Sequence, residues 1–242
     1  MLKPLKIAVL SLHSCPRGKL GGKDTGGMNV YIQETSKELG KRGHSVDIFT
    51  RTHQPEHPQT MEIGENVRLI HIATGLKEEI PKVAFYSYLQ DFMCGIENYR
   101  NSGDVHYDLI HSHYWLSGLT GIQLKKWWHV PHIVMFHTLA AVKNDSGLGS
   151  NEPELRIENE KDLVQKCDRI IAVTSREKNE LIRYYGAPHQ SITIIPCGVN
   201  LDMFKPANKD KARQKLGLDH QRLLLYVGRL EPLKGLDKLL MA

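Results

Sequence analysis

Short runs dominated by Val, Ile and Leu recur along this chain, separated by segments with helical periodicity. The runs are 7–12, 46–50, 67–72, 109–113, 133–137, 170–174, 192–196 and 223–227. Strands that read as nearly continuous apolar runs are covered on both faces, and their alternation with helices builds a parallel sheet with crossover connections. The expected fold is therefore α/β. It is a Rossmann-like parallel sheet with helices on both faces, plus the first strand of a second Rossmann-like lobe at 223–227. The first helix is the best marked: Met28, Ile32, Thr35 and Leu39 fall on one face, and Gly43 follows as a cap. The expected organisation is a domain over 1–198, a linker with a charged helix at 208–216 over 199–221, and the start of a second domain over 222–242. A strand opening a parallel sheet needs a helix and neighbours to cover it, so the chain reads as the front part of a two-lobed protein.

Composition narrows the function classes. With 40% hydrophobic and 24% charged residues the chain has the make-up of an ordinary globular protein. Its net charge of +5 is spread along the sequence, which gives no support to nucleic-acid binding or a membrane-surface role. Cys15, Cys94, Cys167 and Cys197 are far apart and form no CxxC pair, a pattern of reduced thiols in a cytoplasmic protein. The apolar run after Lys3 and Lys6 is too short for a secretory core and is closed by His13, so it reads as a strand.

Several motifs carry chemistry. Gly21-Gly22-Lys23-Asp24-Thr25-Gly26-Gly27-Met28-Asn29 lies between the first strand and first helix. Helix N-terminal amides are unpaired and carry the positive end of the macrodipole, and glycine lets a ligand approach them, so the segment suits a phosphate. Asp24 after Lys23 rules out a Walker A loop. His111 and His113 share a strand face, but no third residue has metal-ligand spacing, and no metal is expected. His13, Tyr114 and His137-Thr138 each follow a strand, and ligands bind at the carboxyl rim of such sheets. Arg229 and Lys234 flank the turn after the last run, where two cations can converge on a diphosphate or remain solvated. The polar stretch 144–153 reads as a surface loop.

Taken in order, Gly-Gly-Met-Asn after the first strand, Gly43-His44-Ser45-Val46-Asp47-Ile48-Phe49-Thr50, His111-Ser112-His113-Tyr114-Trp115, Ile195-Pro196-Cys197-Gly198-Val199-Asn200, and Val227-Gly228-Arg229-Leu230 with Lys234-Gly235 resemble the retaining glycosyltransferases of family 4, which have the two-lobed GT-B fold. Residues 24–32, 108–118 and 137–144 look most like the branch that glycosylates inositol phosphate in mycothiol synthesis. The resemblance implies an N-terminal acceptor-binding lobe and a C-terminal lobe for a nucleoside-diphosphate sugar, expected to be UDP-linked, with no other cofactor. It implies that Lys77, Tyr114, Thr138 and Arg156 hold the acceptor phosphate. His13 and the loop with Asp24, Thr25 and Asn29 would contact the acceptor ring. Gly26 and Gly27 would lie near the donor diphosphate, which Arg229 and Lys234 neutralise, and His137 would stand beside the reacting sugar. The implied partners are small-molecule substrates; a homodimer stays open. Two rivals remain: a sucrose- or sucrose-phosphate-synthase-like or cell-surface polysaccharide enzyme on the same fold, and a non-catalytic sugar-phosphate-binding module.

Overall fold

The computed structural model describes residues 3–19, 26–53, 57–74, 81–147, 151–218, 222–228, 230 and 234–242. Two units separate, Met1–Pro196 and Cys197–Ala242. In the first, β1 (Lys6–Leu10), β2 (Ser45–Arg51), β3 (Thr60–Gly64), β4 (Val67–Ile72), β5 (Leu109–His113), β6 (His132–Met135), β7 (Arg169–Ala172) and β8 (Ile192–Ile194) form one sheet in the order β3-β4-β2-β1-β5-β6-β7-β8. Every pair is parallel except β3 with β4. The expected α/β class with helices on both faces is therefore present, with one antiparallel edge strand that the sequence reading missed. That strand turns at Glu65-Asn66, with Asn66 at φ 56°, and exposes most of its residues. Its only apolar pair, Met61 and Ile63, is too short a pattern to stand out.

The alternation of side chains along β1 shows why both faces are covered. Ala8 and Leu10 pack with Phe92, Ile96, Trp115 and Leu116 of α2 (Leu89–Ser102) and α3 (Tyr114–Trp128). Ile7 and Val9 point the other way, into a cluster with Ile32 of α1 (Gly27–Lys41). A third cluster joins β6–β8 to α5 (Glu154–Lys166) and α6 (Ser175–Tyr185). The face of α1 differs from the expected one by about one residue. Asn29, Ile32, Ser36 and Gly40 are buried, whereas Met28 and Leu39 are only partly so. Close approach to the sheet selects small and hydrogen-bonding side chains on that face over the bulkiest ones.

In the second unit α7 (Lys209–Lys215) starts where expected, with Asn208 Oδ1 accepting the Lys211 N–H at 2.9 Å, and α8 (Leu236–Met241) follows Gly235. The strand expected at 223–227 is absent: residues 222–227 have no regular structure, and Leu224 and Val227 are exposed. A strand exists through its ladder, and no other strand stands among the described residues of this unit.

Candidate functional site at the carboxyl rim of the sheet

Strand order reverses between β1 and β5, which puts a crevice outside their carboxyl ends. The loop after β1 is folded tightly: Ser11 Oγ donates to the Ser14 carbonyl at 2.7 Å, and Ser117 Oγ of α3 accepts the Leu12 N–H at 3.0 Å. These bonds hold His13 at the rim, buried, with its ring 4.3 Å from that of Tyr114. Tyr114 begins α3 at φ 74°, and His137 follows β6 at φ 61°. Bulky residues held in the left-handed region cost on the order of 1–3 kcal/mol each and cluster where geometry serves function. His113 Nδ1 and His137 Nε2 are 2.9 Å apart, and Tyr31 packs edge-on against both rings. Tyr31 thereby seats the N-terminal end of α1 at this same rim.

Arg156 is the centre of the site. It is only 2% exposed, although it carries a charge. Its Nε donates to Glu160 Oε1 at 2.7 Å, and its Nη2 donates to the Thr138 carbonyl and Oγ1 at 2.8 and 3.0 Å. Its Nη1 pairs with Glu152 Oε2 at 2.9 Å, and the guanidinium lies over the Tyr114 ring, 4.7 Å from its centroid. Glu160, fully buried, also accepts from Tyr185 Oη at 2.6 Å and from the Ala140 N–H at 3.0 Å, at the start of α4 (Ala140–Asp145). Burial pushes the Glu160 carboxyl up, against the pull of Arg156. Burial also acts to raise Glu152, but hydrogen bonding to Lys143 and the charge of Arg156 bring it below the ordinary carboxylate value.

The rim imidazoles are neutral. Burial pushes His111 down to about 4 and His137 down to about 3. His13 and His113 also lie well below the ordinary value, again through burial first; for His13 the charges of Lys82 and Arg156 add to it. Nδ1 of His13 is buried without a hydrogen-bond partner among the described residues, which leaves it available to a ligand. His111, His113 and His137 lie ring against ring, yet among the described residues no group of three or more His, Cys, Asp or Glu could hold a metal ion.

Of the residues singled out from sequence, His13, Tyr114, His137, Thr138 and Arg156 come together here. Gly26 and Gly27 are exposed, with open space beside each, and α1 starts at Gly27. The Gly26 N–H, however, is donated to Asn29 Oδ1 at 3.0 Å. Asn29 is buried and gives its Nδ2 to Ser14 Oγ at 2.7 Å and the Cys15 carbonyl at 2.6 Å, so in this arrangement it ties α1 to the first loop. Asp24, Thr25, Lys77 and Arg229 lie outside the described residues, and Lys234 belongs to the second unit. Sequence reasoning missed Tyr31, Lys82, Lys143, Glu152, Glu160 and Tyr185. A signal existed for two of them, because Glu152, Arg156 and Glu160 are spaced four apart, the spacing of neighbours on a helix face. Of the stretch expected as a loop, residues 146–147 and 151–153 indeed have no helix or strand, and its two flanks are tied together. Asn144 closes on Glu152, accepting its N–H at 2.7 Å and donating to its carbonyl at 3.0 Å.

A model described as Glycosyltransferase Family 4 matches residues 25–203. The chain belongs to glycosyltransferase family 4. Among other members, the D-inositol 3-phosphate glycosyltransferases of Nocardiopsis dassonvillei and Thermomonospora curvata are 38% and 40% identical to it, over 99% and 98% of this chain and 57% of each of theirs. The sucrose-phosphate synthase from Thermosynechococcus elongatus superposes with a TM-score of 0.88 at 31% identity, covering 98% of this chain and 59% of that one. Anabaena HepE, solved in complex with UDP and glucose, shares the fold at 14% identity and a TM-score of 0.57, over 88% of this chain and 50% of that one. These neighbours are glycosyltransferases of the two-lobed GT-B architecture, and the family 4 chain described here spans a little over half of the curated relatives' length. Among the described residues no helix is long and apolar enough to cross a membrane.

Proposed function

We propose that this chain supplies the acceptor lobe of a retaining glycosyltransferase that moves a sugar from a nucleoside-diphosphate sugar, UDP-linked, to a small phosphorylated polyol. The observation that supports this best is Arg156, a buried guanidinium held against Thr138 and the Tyr114 ring at the switch point of the sheet. A planar fork of donors in a partly desolvated place reads phosphate with bidentate geometry. Tyr114, Thr138, Lys77 and Lys82 complete the phosphate subsite, and His13 and the 24–29 loop meet the polyol.

In the reaction, negative charge grows on the departing diphosphate while the anomeric carbon becomes oxocarbenium-like. Arg229 and Lys234, the cations that the family resemblance assigns to the leaving diphosphate, stabilise that charge, which is the largest electrostatic contribution on offer. His137 stays neutral at working pH, so its Nδ1 serves as a hydrogen-bonding group for the sugar rather than as a proton donor of ordinary imidazole strength. The diphosphate acts as base towards the acceptor hydroxyl, and attack occurs on the face from which it departs.

The likeness to a sucrose-phosphate synthase favours a second reading, a hexose phosphate as acceptor. Both readings need the phosphate, and one experiment serves both. In the full-length enzyme Arg156→Lys keeps the charge but loses the fork, so the acceptor KM should rise about tenfold or more while the donor KM stays within about twofold. Inositol 3-phosphate and a hexose phosphate are compared as acceptors, each against its dephosphorylated form. Equal turnover of phosphorylated and free acceptors, or an unchanged acceptor KM, defeats the proposal.

A further inference from the structure

Arg156 has no idle face. Each of its three nitrogens already has a partner, and of its five N–H donors at most one, on Nη1, is left over, so a phosphate can take the guanidinium in a two-bond grip only if one of the partners yields. Three partners compete to stay. The Thr138 carbonyl is main chain at the end of a packed strand-to-helix turn. Glu160 is fully buried, and beyond Arg156 it holds the Ala140 N–H and the Tyr185 hydroxyl, which itself accepts the Ala141 N–H at 2.8 Å. Removing that carboxylate would strand three donors in the interior. Glu152 is different. Its side chain is 18% exposed, it stands before the first turn of α5, and its backbone is pinned by Asn144 independently of the carboxylate. The side chain can therefore swing to water while the main chain stays in place.

The same carboxylate also pairs with Lys143, so one anion occupies two cations of opposite flanks, α4 and α5. Building on the acceptor-phosphate reading of Arg156, we propose that Glu152 is a specificity-determining residue, a resident anion that the acceptor's phosphate must displace, which frees Arg156 and Lys143 together. A neutral polyol gains nothing from that exchange. A monoanionic carboxylate merely replaces like with like. A dianionic phosphate, with three acceptor oxygens, gains charge and hydrogen bonds over the carboxylate it evicts. Selection of phosphorylated over free acceptor then arises from the contact broken as well as from the contact made.

The test is calorimetric titration of the folded chain with inositol 3-phosphate, free inositol and inorganic phosphate. It uses the unaltered chain and the variants Glu152→Gln, Arg156→Lys and Glu158→Gln. Glu158 is exposed on α5 and carries the same charge away from Arg156, so its variant reports the effect of net charge alone. Glu152→Gln should bind inositol 3-phosphate and inorganic phosphate roughly five- to tenfold tighter, with Glu158→Gln within about twofold of the unaltered chain. Binding that weakens or stays the same in Glu152→Gln overturns the displacement, as does an equal gain in Glu158→Gln. The underlying reading is judged separately by Arg156→Lys. If that variant binds the phosphorylated ligand as well as the unaltered chain does, or if no protein binds it, Arg156 is not the phosphate reader and the inference falls with it.

Discussion

Arg156 and Glu160 illustrate how one residue's placement depends on another's. A guanidinium at 2% exposure is tolerable because its Nε and Glu160 Oε1 are 2.7 Å apart and the remaining acceptors surround it. Breaking such a pair leaves an uncompensated buried charge, which typically costs about 3–5 kcal/mol, whereas removing both partners costs far less. Glu160→Ala should therefore lower the unfolding free energy by about that amount in urea titration. The double variant Glu160→Ala with Arg156→Met should recover at least half of the loss, an interaction energy of 0.5–3 kcal/mol being usual for residues in contact. Additive losses would show that the two side chains are not coupled. At this scale the sequence was legible in part. Arg156, Thr138, Tyr114 and His13 could be named from family motifs, but Glu152 and Glu160 were not singled out, since charges spaced four apart suit a solvated helix face as well as a buried one. Only burial distinguishes a buried i,i+4 pair from a solvated one.

At the scale of elements, α3 carries the site because it comes close to its neighbours. A Cβ on Gly118 would meet Leu163 Cδ2 of α5 at 2.3 Å, and one on Gly121 would meet the His132 ring at 2.2 Å. His132 is fully buried, is pushed down to about 3 by burial, and lies 2.6 Å from Ser112 Oγ through its Nε2. A ring so held cannot slide aside, so Gly121→Ala should cost about 1–3 kcal/mol by overpacking. It should also disturb the Ser112–His132 bond, visible as a shift of the His132 ring signals by NMR. An unchanged melting temperature and unchanged ring signals would mean that α3 has slack against β6. The strands of the central sheet were readable as apolar runs, because burial on both faces leaves a continuous signature. The edge strand β3 was not, since an edge needs fewer apolar residues. Nor was the absence of a strand at 223–227, where Leu and Val propensity is present but no pairing partner stands among the described residues of that unit. The one-residue rotation of α1 has the same origin: periodicity marks where apolar side chains are, while the sheet selects which face can come near.

For the molecule as a whole, the histidines set how stability responds to pH. His13, His111, His113, His132 and His137 are held neutral in the fold, chiefly by burial, and take up protons freely only when the chain unfolds. Their folded pKa values lie below the unfolded value of about 6.5, so below pH 6.5 the unfolded state binds more protons and stability falls as pH falls. Each contributes roughly 1 kcal/mol of loss between pH 7.5 and 5.5, and the loss continues towards pH 4. Urea midpoints should drop by an amount equivalent to several kcal/mol across that interval, and His111→Asn, which removes one titrating site, should flatten the slope. A stability flat from pH 7.5 to 5.5 would mean that these imidazoles are solvated. The layering was already written in the chain: strand-length apolar runs between helical patterns must become a sheet covered on both faces, whatever the surroundings. Folding in three dimensions was needed to bring residues over a hundred positions apart to one rim, and to deliver Arg156 there already paired with two carboxylates. Burial and close approach are properties of neighbours in space, and charge pairing in a desolvated place depends on both.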